Sequence, residues 1–259
     1  MVLLVVAIGV LGLLIGSFLN VVIHRVPAGE SVVHPRSRCP QCGTELAARD
    51  NVPVVSWLLL RGKCRTCGAP ISVRYPLVEL GTGLLFAAVA WWCGATWALP
   101  AYLYLAAISV ALSAIDLDVR RLPNVIVLPS YVVTLALLLV PAIVEGRWAD
   151  FRTAVLTGVG LYAFYFLLAF IYPAGMGWGD VKLAGVLGLY LGWVSWQLAI
   201  LATFVAFIVG ALVGLLVMVR SGEGRKTKVP FGPFMVIGTW TALFWGQPVI
   251  DWYVGSLGG

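Results

Sequence analysis

Long apolar runs alternate with short polar breaks along almost the whole chain, and one long polar stretch interrupts them near the N-terminus. A helix needs roughly 20 mostly apolar residues to cross a bilayer. Eight runs approach or reach that length, the sixth being short, and they cover residues 1–23, 77–95, 97–115, 124–144, 153–173, 181–193, 195–219 and 231–254. The pattern predicts an all-α polytopic membrane protein with about eight transmembrane helices.

Composition agrees with this interpretation. Hydrophobic residues make up 61% of the 259 positions, charged residues only 11%, and the mean hydropathy is +0.98. A soluble domain has about 25% charged residues. The first run has no basic residue before it, and Arg25 follows it, so we interpret it as a helix and not as a cleaved signal peptide.

The distribution of Lys and Arg predicts the orientation, because basic residues collect in short cytoplasmic loops. Fifteen of the seventeen lie in the stretches 24–76, 116–123, 174–182 and 220–230, all on one side if the N-terminus is outside. The net charge of +6 therefore reflects topology and contact with anionic lipid, and not nucleic-acid binding. We expect three parts: a first transmembrane helix at 1–25, a small cytoplasmic domain at 26–76, and a transmembrane domain at 77–259.

The polar stretch 26–76 contains two C-x-x-C motifs, Cys39 with Cys42 and Cys64 with Cys67, separated by 21 residues. This spacing lets four thiolates surround one zinc ion, and a closed four-cysteine site is structural and not catalytic. A pair of disulfides is the alternative, but the loop is expected on the reducing side of the membrane. Cys93 lies in an apolar run, where we expect a packing residue.

Two acidic residues are predicted at the same membrane face although they belong to distant segments. Asp116 follows the third apolar run, and Asp180 begins the sixth. Acids at such positions are usually functional or paired with a cation. Two close carboxyls share a proton, as an aspartic protease requires. A structural pairing of each acid with Arg or Lys is the alternative.

Asp118 competes with Asp116 for the first catalytic position. Helical positions two apart point about 200° away from each other, so only one of the two can face the bundle. Asp118 is nearer to Arg120 and Arg121, and we expect it in a solvated ion pair.

Small residues and prolines accompany the acids. Gly177 and Gly179 precede Asp180 and permit unusual backbone conformations and close approach of a substrate chain. Small-residue packing between helices is the alternative, but the position of the string at a segment boundary, ending in an acid, favours a functional role. The entry to the last segment is predicted to be fixed and non-helical, because it contains Pro230, Gly232 and Pro233. This entry either lines a substrate groove or is an ordinary helix start.

Taken together, these motifs resemble the bacterial type IV prepilin peptidases, which belong to the GxGD class of intramembrane aspartic proteases. The resemblance runs along nearly the whole chain. It rests on Gly16-Ser-Phe-Leu-Asn-Val-Val-Ile-His-Arg25, the two cysteine motifs, Asn51-Val-Pro-Val-Val-Ser56, Ile71-Ser72, Arg74-Tyr-Pro-Leu-Val-Glu79, Ile115-Asp116 with Arg121-Leu-Pro123, Gly177-Trp-Gly-Asp180-Val-Lys182, and Pro230-Phe-Gly-Pro233. One departure is Asn124, where the family usually has Asp; this removes a third possible acid and favours Asp116, and turn capping is a contribution of the usual aspartate that Asn can also provide.

The resemblance implies an aspartic endopeptidase that removes the short basic leader of prepilins or pseudopilins at the cytoplasmic face, in a bacterial inner membrane. Asp116 and Asp180 would be catalytic, and Gly177, Gly179, Lys182, Pro230, Gly232 and Pro233 would bind substrate. Many relatives also methylate the new N-terminus with S-adenosylmethionine, although residues 26–76 contain no Gly-rich nucleotide loop. A transporter with intramembrane acids is the main rival, and it predicts acids at mid-bilayer and repeated halves. Non-catalytic assembly with the pilus machinery is a third function.

Overall fold

A computed structural model describes residues 1–173, 175–221 and 229–257, and most of these residues are helical, except in the long loop that follows the first helix. Nine α-helices are present there: α1 (Val2–Ala28), α2 (Val55–Leu59), α3 (Arg74–Cys93), α4 (Leu99–Val119), α5 (Asn124–Val144), α6 (Trp148–Ile171), α7 (Trp178–Val194), α8 (Trp196–Ser221) and α9 (Gly232–Leu257). The described residues contain no β-strand, only two isolated bridges in the long loop between α1 and α3. The all-α prediction is therefore confirmed.

Eight of these helices, all except α2, correspond to the eight predicted segments. Six of them are long and apolar enough to cross a membrane: α1, α3, α4, α5, α6 and α8. The prediction of a polytopic membrane protein is confirmed by these six. The other two differ in kind, because α7 has only 17 residues and α9 contains the polar pair Gln247 and Asp251.

Several helices are longer than the apolar runs that predict them. α1 continues to Ala28 instead of residue 23, α6 begins at Trp148 instead of 153, and α4 continues to Val119. Apolarity marks only the part of a helix that lies in hydrocarbon, while helical backbone continues into the polar interface. As a result, Asp116 lies inside α4 and not after its end.

The chain divides into two compact units, Met1–Ala111 and Leu112–Gly259. In the first unit, α1 packs against α3 in an antiparallel arrangement. Glycines make this close approach possible: a Cβ on Gly16 would lie 2.7 Å from Glu79 Cα, and a Cβ on Gly12 would lie 2.9 Å from Gly83 Cα. Small residues at such positions are typical of helix pairs in membranes.

The second unit is built around α7, which packs against α5, α6, α8 and α9. Every residue from Leu183 to Trp193 is buried. Glycines again set the spacing, since a Cβ on Gly188 would lie 2.8 Å from Gly158 Cα of α6. The outer helices instead expose large apolar side chains, for example Val132 on α5 and Phe204 on α8, which is typical of a lipid-facing surface.

Candidate active site and metal centre

Chain direction brings six helix ends to one edge of the second unit. Short connections link α4 to α5, α5 to α6, α6 to α7 and α7 to α8, so consecutive helices run in opposite directions. The ends of α4, α6 and α8 and the starts of α5, α7 and α9 therefore lie at the same edge. Asp116 is near the end of α4, and Asp180 is near the start of α7.

The Asp116 side chain is buried, with 5% of its surface exposed. Its Oδ2 atom accepts a hydrogen bond of 3.0 Å from the backbone N–H of Gly232, the first residue of α9. A helix start offers N–H groups that have no partner within the helix, and its dipole favours a negative charge. The first turn of α9 therefore holds and stabilises this carboxyl.

Asp180 is the third residue of α7 and is also buried, with 9% exposed. Its Oδ2 atom accepts a hydrogen bond of 3.1 Å from the backbone N–H of Gly177, the residue that precedes the helix. This is the acidic half of a capping box, in which a side chain in the first turn reaches back to the cap. Asp180 thus stabilises its own helix start.

Leu122 links the two acidic positions. A Cβ on Gly179 would lie 2.9 Å from Leu122 Cβ, and a Cβ on Gly232 would lie 3.5 Å from Leu122 Cδ2 and 2.8 Å from Asp116 Oδ2. The two carboxyls are close enough to interact electrostatically. The structure therefore brings Asp116 and Asp180 together at one edge of the bundle.

Asp118 lies on the other side of α4. It is exposed while Asp116 is buried, which agrees with the 200° separation expected for positions two apart. Arg120 is exposed as well.

Of the properties expected of the glycines before Asp180, the structure uses close approach and not an unusual backbone conformation. Gly177 has an ordinary extended backbone with φ of −78°, and neither glycine is among the residues with positive φ. Conformational freedom is therefore not the reason for them. Gly179 is required because Leu122 occupies the space where its side chain would be. Gly177 is exposed and remains accessible to another chain.

Lys182 and Asn124 join α7 to α5. The Lys182 ammonium donates a hydrogen bond of 2.9 Å to Asn124 Oδ1, and the Tyr131 hydroxyl donates one of 2.6 Å to the Lys182 carbonyl. Asn124 does not cap α5, because Pro123 occupies the cap position and no side chain caps it. The amide oxygen contacts Lys182 instead.

The entry to the last helix is an ordinary helix start with one unusual contact. Pro230 lies in the described segment before α9, Gly232 is its first residue, and Pro233 is its second. Proline is well tolerated in the first turn of a helix. The contact is the hydrogen bond to Asp116, which sequence reasoning did not indicate. The residues from 226 to 228 in the predicted substrate loop lie outside the described residues, as does most of the basic stretch 220–230.

The sequence patterns did not indicate two aromatic residues that lie near the acids. Tyr165 of α6 is buried and lies within electrostatic range of Asp180, and Phe231 packs against it with ring centroids 6.4 Å apart. Phe231 stands within a motif that was singled out for its prolines and glycine. Tyr165 is one of many aromatic residues in an apolar run, and no local signal distinguishes it.

The four predicted cysteine ligands form a single cluster in the first unit. Their Sγ atoms all lie within 4.8 Å of one another, and Cys39 Sγ is 3.8 Å from Cys67 Sγ. Tetrahedral zinc with Zn–S bonds of about 2.3 Å requires sulfurs about 3.8 Å apart. The residues present therefore fit a metal ion, and all five cysteines are free of disulfides.

The two cysteine motifs have the same backbone fold. In the first, Gly43 N–H donates to the Cys39 carbonyl and Cys39 N–H donates to the Thr44 carbonyl. In the second, Gly68 and Ala69 make the equivalent bonds with Cys64. Gly43 and Gly68 both have φ of +70°, which favours glycine. Such paired turns direct both sulfurs of each motif to one point.

Local hydrogen bonds lower the pKa of two of the four thiols, whereas the pKa of Cys67 is raised to about 11, because burial and the neighbouring thiols outweigh its hydrogen bond with the Ala69 backbone. A side-chain hydrogen bond with Thr44 lowers the pKa of Cys42 to about 6. Backbone N–H groups of Cys67 and Thr66 lower the pKa of Cys64. A lowered pKa favours the thiolate, which is the form that binds metal. Cys93 lies apart from the cluster, with its Sγ 2.9 Å from the Thr96 hydroxyl.

A buried acid of α3 forms a hydrogen bond with the cysteine-containing loop that precedes this helix, and the sequence patterns did not indicate it. Glu79 of α3 is 9% exposed and accepts a hydrogen bond of 2.7 Å from the backbone N–H of Val54. Val54 has φ of +60°, which is strained for a β-branched residue. The Trp57 indole N–H donates to the Ile71 carbonyl and closes the loop further.

Comparison with known proteins gives a consistent result. Residues 10–93 match the family described as "Bacterial Peptidase A24 N-terminal domain", and residues 103–215 match the "Type IV leader peptidase family". A protein of Stutzerimonas stutzeri named "Prepilin leader peptidase/N-methyltransferase" is 38% identical over 95% of this chain and 92% of its own length.

Proteins with the same name are similarly close in two other bacteria. The one from Pseudomonas aeruginosa is 38% identical over 96% of this chain and 92% of its own length. The one from Aeromonas hydrophila is 38% identical over 93% of this chain and 91% of its own length. No solved structure matches.

Proposed function

Since this chain belongs to the type IV leader peptidase family, we propose that it removes the leader of prepilins with a catalytic pair formed by Asp116 and Asp180. Membership makes the chain a leader peptidase, and its six long apolar helices make it a multi-pass membrane protein. The observation that carries the residue assignment is that these two buried carboxyls, from separate helices, lie at one edge of the bundle, where Leu122 is close to both Gly179 and Gly232.

The chemistry follows from the proximity of the two carboxyls. Two close carboxyls share one proton, because both cannot ionise at low cost. The ionised member accepts a proton from a bound water, whose oxygen then attacks the scissile carbonyl. The protonated member donates to the carbonyl oxygen, and the C–N bond breaks as a proton reaches the leaving nitrogen. The two acids regain a single shared proton at the end of the cycle.

One backbone hydrogen bond holds each of the two carboxyls in place. Gly232 N–H holds the Asp116 carboxyl, and Gly177 N–H holds that of Asp180. Each bond uses only Oδ2 of its aspartate. The remaining oxygen of each carboxyl is then the one we assign to the water and the substrate.

Substrate binding is assigned to the backbone around the pair. Gly177 is exposed beside Asp180, so an extended leader can lie against it. Gly179 and Gly232 let Leu122 and Asp116 approach closely and so shape the site. Pro230 and Pro233 fix the entry to α9, and Lys182 holds α7 against α5.

The charge distribution supports an inner-membrane protein with its active site at the cytoplasmic face. Basic residues are concentrated in the loops at the ends of α1, α4 and α8, and such loops face the cytoplasm. A basic leader is attracted to the anionic inner leaflet, which is where this site would open.

We assign a structural zinc ion to the cysteine cluster. Cys39, Cys42, Cys64 and Cys67 would fill all four positions of a tetrahedral ion, and a closed site offers none to substrate. The ion would hold the two cysteine turns together in a loop that buries little apolar surface of its own.

A second activity is proposed from the names of the relatives, which combine leader peptidase with N-methyltransferase. S-adenosylmethionine would supply a methyl group to the amine that cleavage creates.

The experiment that tests both activities is incubation of the purified protein with a prepilin and S-adenosylmethionine, followed by mass spectrometry of the product. Loss of the leader mass supports the peptidase, and one further methyl mass supports the transferase. An unchanged prepilin mass with a cognate substrate would refute the proposed function.

A further inference from the structure

A cavity of about 800 Å³ lies between α6 and α8, on the outer surface of the second unit. It is open to the surroundings, because Leu156, Ile200 and Phe204 line it and each exposes more than half of its surface. Both helices are among the six candidate spans, so the cavity lies at membrane depth. We call it the α6–α8 groove.

The groove has a floor of small residues and a rim of large ones. Thr157, Ala199 and Thr203 line it and are buried or half-buried, whereas Leu156 and Phe204 are exposed at its sides. Gly160 also lines it, and a Cβ there would have no heavy atom within 4 Å. A small-residue floor between large side chains admits the close approach of another helix.

The length of the groove limits its occupant. Its lining runs from Trp196 to Phe207 on α8, eleven residues further along the chain. At 1.5 Å per residue this is about 16 Å of helix, or about three turns. Because the lining is almost entirely apolar, the occupant must be apolar over the same length.

The groove is continuous with the proposed active site. Phe207 lines the groove at the end nearer the catalytic edge, and its ring lies 6.1 Å from that of Tyr165 and 5.1 Å from that of Phe231. Phe231 immediately precedes Gly232, whose N–H binds Asp116, and Tyr165 lies within electrostatic range of Asp180. One layer of aromatic rings therefore separates the groove from the catalytic pair.

We propose that the α6–α8 groove binds the apolar helical segment of the substrate that follows the scissile bond. This inference rests on the proposed function. A bond cleaved at the membrane edge leaves the adjoining apolar segment in the lipid, and the groove begins beside the catalytic pair and extends away from it into the membrane. The docked segment fixes the distance between the membrane-embedded part of the substrate and the two carboxyls, and so contributes to the choice of bond.

The first test locates the substrate by photo-crosslinking. The photoreactive residue p-benzoylphenylalanine replaces Ile200 in the groove or, as a control, Val132 on α5, which is 71% exposed and lies outside the groove. Both are built into the Asp180→Asn chain, so that substrate is retained, and illuminated with full-length prepilin in membranes. We expect a crosslink to the prepilin apolar segment from position 200 and none from 132. Crosslinks to lipid alone, to a second copy of the enzyme, or equally from both positions would overturn the proposal.

The second test fills the groove. Gly160→Leu places a side chain in open space inside it, and Gly214→Leu is the matched control, because Gly214 is a helical glycine of α8 that also has nothing within 4 Å and does not line the groove. We expect Gly160→Leu to raise KM for full-length prepilin by about tenfold, the equivalent of about 1.4 kcal/mol. Cleavage of a short peptide that has the leader and scissile bond but no apolar segment should be unchanged. Equal KM values for both variants would overturn the proposal.

These results remain distinct from the fate of the proposed function. If wild-type enzyme removes the leader but the groove variants behave like their controls, only the groove assignment fails. If Asp116→Asn or Asp180→Asn still cleaves, the catalytic assignment fails whatever the crosslinks show.

Discussion

Gly232 donates its backbone N–H to Asp116 Oδ2 over 3.0 Å, although 116 residues separate the two positions in the chain. This bond connects the end of α4 to the start of α9 at the edge where Asp180 also lies. A carboxyl held by a helix start has little freedom to turn away. The bond therefore links the last helix directly to the proposed chemistry.

The first prediction concerns the two carboxyls. Asp116→Asn and Asp180→Asn should each lower kcat for leader removal by about 10²- to 10⁴-fold, because an amide can neither take up nor release the shared proton. Asp118→Asn is the matched control, two residues away and exposed, and should retain activity. Cleavage is measured by mass spectrometry in membranes with equal amounts of each protein. Full activity in either variant would remove that aspartate from the mechanism.

The second prediction concerns the glycine that holds Asp116. Gly232→Ala would place a Cβ 2.8 Å from Asp116 Oδ2, closer than normal contact, so the carboxyl must move. A hydrogen bond to a charged group contributes about 1.5–3 kcal/mol, so we expect kcat to fall by about tenfold or more. Gly214→Ala, in open space on α8, serves as the control. An active Gly232→Ala enzyme with unchanged kcat would mean that this contact is dispensable.

The third prediction concerns the link between α5 and α7. Asn124→Asp should keep the contact with Lys182 and convert it into an ion pair, changing the free energy of unfolding by no more than about 1 kcal/mol. Lys182→Met should remove the contact and lower thermal stability in detergent, while Asn124→Asp should not. A Lys182→Met protein that melts at the wild-type temperature would contradict a stabilising role for this link.

The fourth prediction concerns the metal. Cys39→Ser should abolish stoichiometric zinc binding, measured by elemental analysis of purified protein, and expose residues 26–76 to limited proteolysis. Cys93→Ser should retain the zinc, because Cys93 contacts Thr96 and not the cluster. Because the ligands must be thiolates, zinc should also be released as the pH falls. Wild-type protein without stoichiometric zinc, when purified with zinc present, would refute the assignment.

The fifth prediction concerns the buried acid of the first unit. Glu79→Ala removes the acceptor for the Val54 N–H and should destabilise the loop by about 1–3 kcal/mol, the cost of leaving a buried donor without a partner. Glu79→Gln retains an oxygen acceptor and should cost less. Proteolysis rates of the loop report both effects, and equal rates for the two variants would contradict this role of Glu79.

Much of the architecture follows from the sequence, because apolar runs and motif spacing are local signals. Eight long helices lie where the eight runs indicate, and the spacing of Cys39, Cys42, Cys64 and Cys67 indicates one cluster. Alternation of helix direction is enough to place Asp116 and Asp180 at the same edge.

The remaining features depend on contacts between distant residues, which leave no local signature. Nothing near Gly232 in the sequence points to Asp116, and nothing near Glu79 points to Val54. The role of Asn124 could not be predicted for the same reason, since Lys182 of another helix binds its amide oxygen. Small-residue packing was one alternative for Gly179, but the sequence does not indicate that Leu122 is the neighbour that requires it.

If Asp180 is one of the catalytic acids, its hydrogen bond from Gly177 N–H has a consequence for the reaction. An ionised carboxyl is a stronger hydrogen-bond acceptor than a protonated one. A change of protonation at Asp180 therefore alters the strength of the hydrogen bond from Gly177 N–H, just before α7. If Asp180 exchanges protons during hydrolysis, the backbone next to the leader tightens and loosens in step with the reaction. The proton transfer that accompanies cleavage would then also affect the release of the cleaved leader.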